Sequence, residues 1–356
     1  MIKKTKNLVA ITLLLTFCIV TCSKNDTEAN FDIKKLRADL INSTEKPIRQ
    51  NLTESINNLN TAVNSFANTT NKENLQIVKE AWKEAAINFS LIEVFNFGEV
   101  KSTNIQTAFY SWGANEAAIA NFIASTDITN EENINSLPTN NRGLSAIEFL
   151  LFEQTEELTL QSFSNKRRLD YLQELGKNLV AKSTAYNLLW GSYQIIFIEN
   201  DKNGINGSIN QVVNQMYALL EDIKSLKIGQ PAAIEKTTTA NAEILQAEKS
   251  SFSLQLIQKN IESIKRLYFG DTNGLDDYVF FKTKNSELND QIEKTFVEIE
   301  NKITDFKGIP LKESIFSQSA DVQSLYRSIR NLLILVRVDL ANVLSVTITV
   351  TDNDGD

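Results

Sequence analysis

"RGLSAIEFLLF", Arg142 to Phe152, decides how the rest of this chain is read. Ala146, Ile147, Phe149, Leu150, Leu151 and Phe152 crowd apolar side chains around a single carboxylate, Glu148. A helix apolar on every side is buried on every side, which places this segment inside a large helical core. A glutamate in such surroundings needs a partner, or its pKa rises. Two readings follow. Ser145 and Glu148 stand three apart, the spacing of a capping box, with Gly143 freeing the backbone ahead of them. Alternatively, Glu148 is a buried functional carboxylate, with Ser145, Arg142 and Gly143 shaping its surroundings.

Working outward, the pattern is helical almost everywhere. Ile48, Leu52, Ile56, Leu59, Val63 and Phe66 recur at spacings of three and four behind Pro47, which predicts an amphipathic helix over 47–68. Thr70 and Glu73 match a capping box before a second stripe, Leu75, Val78, Trp82, Ala85, Phe89 and Ile92. Further stripes cover 169–190, 209–226, 254–267, 292–303 and 325–344. A period of two occurs once, in "VTITV" at 346–350, predicting a short terminal strand or extended tail. The Gly- and Asn-rich run "ENDKNGINGS", Glu199 to Ser208, is the strongest internal break. The expectation is an all-α protein of two helical bundles packed side by side, 33–200 and 205–356, with a cleft where they meet. Trp82, Trp112 and Trp190 fall in apolar settings and read as core.

The amino terminus carries an export signal. Lys3, Lys4 and Lys6 precede "LVAITLLLTFCIV", thirteen uncharged residues, too short to span a bilayer and right for a signal-peptide core. Cys22, preceded by Ile19, Val20 and Thr21, resembles a lipobox cysteine, the acylated first residue of a mature lipoprotein; the alternative is a plain signal peptide. Residues 1–21 are then the signal peptide and 22–32 the lipidated Cys22 with a polar tether, anchoring the protein without spanning the membrane. The expected location is the outer membrane, on its periplasmic or cell-surface face. Removing 1–21 leaves 33 basic and 44 acidic residues, a formal −11, with no cluster of basic residues to hold nucleic acid.

The chemistry is limited by what is missing. The sequence contains no histidine, and its two cysteines, Cys18 and Cys22, both fall in the leader region. The usual neutral-pH base, the commonest metal ligand and a thiol nucleophile are therefore absent from the body. Any metal would rest on oxygen ligands, which favours a hard cation such as iron or calcium. "TDNDGD" at 351–356 opens like a calcium loop but stops before a bidentate glutamate, so it reads as a solvated acidic end.

"RGLSAIEFLLF" also resembles the Gly-x-His-x-x-Glu signature of the imelysin family, with Ser145 at the histidine position. "AWKEAAINFSLIEVFNFGEV" (81–100) is similar to that family's Trp-containing helix, and "YSWG" (110–113) to its Ser-Trp-Pro segment. "RRLDYL", "EDIKSLKIGQP", "YFGDTNGLDDY" and "VRVDLANVLSVTITVTDNDGD" follow in family order. The resemblance implies an all-helical, two-domain exported protein, often a lipoprotein, with the signature near the domain interface. The family is classed among metallopeptidases, and some members are tied to iron uptake. Carried over, Glu148 takes the signature glutamate and Glu93 that of the Trp-containing helix. A serine hydroxyl is a weak ligand of short reach, which argues against zinc hydrolysis.

Three functions follow as expectations. The leading one is a membrane-anchored, non-peptidase ligand- or metal-binding protein accessory to iron or haem acquisition, using a cleft around Glu93, Ser145, Glu148 and Asp339. The others are a degenerate scaffold binding another cell-surface protein and, last, a metallopeptidase. Asp339, in "VRVDLAN", is otherwise an ordinary surface carboxylate.

Overall fold

The first long helix, α1 (Lys46–Asn68), buries the expected stripe of Ile48, Leu52, Ile56, Leu59, Val63 and Phe66, with proline in its first turn. A computed structural model describes residues 30–127 and 129–349. The leader, Cys22 and the acidic end therefore lie outside the described residues. Upstream of α1 the chain is already helical: Ile33–Asp39 runs into a π-helical turn, Leu40–Glu45, and on into α1 without a break. α2 (Lys72–Ile92) is capped by Asn71, whose side chain accepts from the Asn74 amide at 2.8 Å. The predicted Thr70–Glu73 box does not form, because the Thr70 hydroxyl donates backward to the Phe66 carbonyl at 3.2 Å. Asparagine one position later then satisfies the orphan amide.

α3 (Gly143–Phe152) is the quoted segment, buried at every position from Gly143 to Leu151. α4 (Lys166–Glu199) is the longest helix and packs, with α2, against α1. After the loop that begins at Asn200 come α5 (Ser208–Asp222), prolonged by a π-helical turn to Gly229, then α6 (Ser253–Phe269), α7 (Glu287–Asp305) and α8 (Ser319–Ile334). α8 too continues through a π-helical turn, Leu335–Leu340, into Ala341–Val343. The apolar stripes thus locate the helices, and the helical ends run beyond them.

The described residues from Ile33 onward form one compact unit. The expected boundary at 200–205 falls in the loop between α4 and α5. Helices on its two sides are packed together through α2 against α6, and through the 3-10 turn Glu93–Phe95 against both α5 and α6. This seam holds the candidate site. No strand occurs among the described residues. At "VTITV" side chains of α5 replace a ladder: the Thr347 amide donates to Asn210 Oδ1 at 2.9 Å, and the Thr349 amide to Asn214 Oδ1 at 2.7 Å. Among the described residues no helix is long and apolar enough to cross a membrane.

One long irregular segment has no counterpart in the apolar pattern. Between Gln230 and Phe252, Ala233, Lys236, Ala247 and Ser251 all have positive φ. Such conformations cost free energy outside glycine and persist where surrounding structure holds them. Here the holding structure includes α3.

Candidate functional site

The entry to α3 is built around one glycine. Gly143 has φ of +68°, and a Cβ there would lie 2.5 Å from the Phe109 carbonyl oxygen and 2.9 Å from that of Ala108. The close approach lets the Leu144 amide donate to Phe109 O at 2.7 Å. Around it, Trp82 Nε1 donates to Leu144 O at 2.8 Å, Arg142 Nη1 to Asn135 O at 2.8 Å, and the Tyr171 hydroxyl to Asn141 O. Arg142 and Gly143 therefore fasten the helix start.

Ser145 and Glu148 do not form a capping box. The N-cap of α3 is Arg142, with no side-chain capping bond, so Ser145 already lies inside the helix. Its hydroxyl donates to the Ser111 carbonyl instead. Glu148 reaches across the seam. Its Oε1 accepts from the Ser250 amide at 2.9 Å and the Ser250 hydroxyl at 2.8 Å, and its Oε2 from the Tyr110 hydroxyl at 3.3 Å. The cap reading is thereby corrected, and the buried carboxylate stands.

Glu148 is only 6 % exposed and no cation pairs with it among the described residues. Burial pushes its carboxyl up from 4.5 to about 7; the Ser250 and Tyr110 bonds oppose this, and the charge of Glu248 adds to it. Burial, reinforced by Glu148, also holds the Tyr110 phenol well above its ordinary range. Ser145, Glu148 and Phe149 open onto a pocket of about 60 Å³, closed by Glu116, Ala247 and Glu248. Lys249 partly balances this wall, lying 3.0 Å from Glu116 and 3.5 Å from Glu248. Such a space suits a water cluster or one small polar group.

Glu93, at the end of α2, meets the same seam differently. Lys227, on the π-helical turn after α5 and 1 % exposed, places Nζ 3.0 Å from Glu93 Oε2. Asn260 on α6 donates to the same oxygen at 2.6 Å while accepting from Lys227 at 2.7 Å. The ammonium also lies 5.3 Å from the centre of the Trp112 ring, so this tryptophan stacks on a cation, while Trp82 and Trp190 are core.

Asp339 is exposed on the π-helical turn after α8. Among the described residues no group of three or more His, Cys, Asp or Glu is placed to hold a metal ion. Glu93, Glu148 and Asp339 thus do not converge. Both oxygens of Glu148 already accept protein hydrogen bonds, Ser145 donates to a carbonyl, and Glu93 is matched to a lysine. The donor set does not fit the expected oxygen-only iron or calcium site.

Sequence reasoning missed Ser250, Tyr110, Lys227 and Asn260, which decide the state of both carboxylates. Tyr110 stands in the quoted "YSWG" segment. Ser250 sits in a loop without periodicity, where pattern has no purchase.

The family model described as Imelysin matches residues 48–336. Among solved structures, the chain is similar to an imelysin-like protein from Psychrobacter arcticum 273-4, with a TM-score of 0.74 and 15% identity over 89% of this chain and 96% of that one. It is also similar to a candidate iron-regulated protein A precursor from Parabacteroides distasonis ATCC 8503, with a TM-score of 0.74 and 18% identity over 87% of this chain and 95% of that one. No curated protein sequence matches.

Proposed function

The chain belongs to the imelysin family, and from that premise we propose that it is a membrane-anchored, non-peptidase binding protein serving iron acquisition, with its ligand contact at the Glu148 pocket. The observation that carries this reading is the state of Glu148: a buried carboxyl raised to about 7, held by neutral donors, with a face on a small pocket. Such a group either accepts from a cationic or hydrogen-bond-donating ligand, or donates when protonated. Iron enters through the similar protein from Parabacteroides distasonis, described as iron-regulated. Export and acylation at Cys22 rest on the leader sequence.

Zinc hydrolysis needs three good protein ligands and an activated water; the sequence has no histidine, and among the described residues no ligand set converges. A chelator-sensitive cleavage of a denatured protein, lost in Glu148→Gln, would overturn the non-peptidase assignment. The binding assignment is tested by melting the protein with ferric citrate or haemin, iron carried by an organic ligand rather than as a bare cation, beside Glu148→Gln. A shift in the wild type that the variant loses is expected. No shift with either of them, together with expression indifferent to iron supply, rejects the reading.

One observation favours a second reading, a scaffold that captures another surface protein: Ser145, Glu93 and Glu148 all make contacts that tie the protein to itself. Under it, Glu148→Gln retains partner capture. A Ser145→His variant separates the cases further, because it returns an imidazole to the wall of the Glu148 pocket. Metal bound by the variant alone marks a family site disabled by serine.

A further inference from the structure

Sharing no lining residue with the Glu148 pocket, a larger pocket of about 350 Å³ gathers positive charge. Its wall includes Arg37 from the Ile33–Asp39 helix, Lys202 from the loop after α4, Lys282 from the helix Leu275–Thr283, and Gly207, Ser208 and Ile209 at the start of α5. α5 is fifteen residues long, and the amides of its first turn have no intrahelical acceptor. A helix of that length presents partial positive charge at this end.

Arg37 supplies the independent observation. It is 6 % exposed, yet no carboxylate pairs with it among the described residues. Its Nε donates to the Ile198 carbonyl at 2.8 Å, which engages one of the five guanidinium donors. No Arg37 nitrogen is among the buried atoms left without a partner, so its terminal donors reach the solvent of the pocket, open to an anion. The remaining donors belong to a residue that lines the pocket. Of the lining side chains only Asp201 is acidic, and it is exposed.

The loop is shaped to keep this end of α5 clear. Gly207 is its N-cap, and a Cβ there would come within 2.2 Å of the Lys202 carbonyl oxygen. Asn200 Nδ2 donates to Asn206 O at 2.7 Å, and the Lys202 amide to Asn200 Oδ1 at 3.1 Å, so the turn is braced from within.

We infer that Arg37, Lys202, Lys282 and the first turn of α5 form a binding site for a phosphate-bearing ligand. A forked guanidinium, two ammonium groups and free backbone amides match a tetrahedral oxyanion. The volume admits a headgroup-sized molecule rather than an ion alone. Ile33 lines the pocket eleven residues past Cys22, so a lipid headgroup and a free phosphate compound are both sources of that chemistry. The site is independent of the Glu148 reading.

The full chain, purified in neutral detergent, is titrated with inorganic phosphate and followed by calorimetry and melting temperature. It is then offered phosphatidylcholine vesicles with and without phosphatidylglycerol. Saturable phosphate binding is expected, weakened about tenfold or more in a Lys202→Gln, Lys282→Gln double variant, since charge-assisted bonds are lost. Both lysines are exposed, so the double variant should melt like the wild type without phosphate. Arg37→Gln should lose binding outright, and if it unfolds, the lysine variant decides. Preference for phosphatidylglycerol vesicles that free phosphate competes away assigns a lipid headgroup. Phosphate binding without vesicle preference assigns a soluble phosphate compound. Absence of both, or binding that the lysine variant leaves unchanged, overturns the proposal.

Discussion

Glu93 and Glu148 lie on the same seam, both brought there by the first part of the chain and both met by residues from beyond α4. Glu93 meets a buried ammonium 3.0 Å away, with Asn260 bridging the two. Glu148 meets only hydroxyls and an amide. One carboxylate is a charge-matched fastener. The other carries an unbalanced desolvation cost and faces a pocket, the condition in which a side chain responds to ligand or pH. Position alone does not separate them. Their partners do.

The sharpest way to break this comparison is to remove the cation. Lys227→Met leaves the Glu93 carboxylate in the seam without its counter-charge, and stability should fall by roughly 3–5 kcal/mol in urea unfolding. A loss under about 1 kcal/mol would mean that solvent already screens the pair. Next in size is Gly143→Ala. The added Cβ would press on the Phe109 and Ala108 carbonyls at a positive φ, and the expected cost is roughly 2 kcal/mol or more. Ser145→Ala should be the mildest, about 1 kcal/mol for one hydrogen bond to the Ser111 carbonyl. If instead Ser145→Ala proves as damaging as Gly143→Ala, the serine is a structural keystone and the pocket reading weakens.

The sequence showed the helices because burial imposes a period on them. The stripe from Ile48 to Phe66 is the buried face of α1, and the apolar residues that flank Glu148 between 146 and 152 became a helix buried from Gly143 to Leu151. Capping was less legible. Thr70–Glu73 and Ser145–Glu148 both have the right spacing, yet Asn71 and the Gly143 backbone do the work at those ends. Spacing records which residues can meet along one helix and says nothing of competing acceptors such as Phe66 O or Ser111 O. The family blocks pointed to Glu93 and Glu148, but partners of each lie about 100 residues or more downstream: Lys227 and Asn260 for Glu93, Ser250 for Glu148. Asp339 shows the converse: a carboxylate within a matching block that stays on the surface. Such long-range pairings leave no local period to read.

The contrast between the two carboxylates is tested most directly by the melting temperature of the wild type and Glu148→Gln between pH 4.5 and 8. In the unfolded chain Glu148 titrates near 4.5 and in the folded protein at about 7. Below 4.5 both states hold the proton and the group is neutral to stability. Between the two values the folded state binds more protons, so stability falls as pH rises, by roughly 3 kcal/mol in all once pH exceeds 7. Glutamine cannot titrate, so the variant should lack this part of the decline, and its curve should draw level with or cross the wild type toward pH 8. Parallel curves across the whole range would show that Glu148 is charge-compensated like Glu93, and would contradict the account.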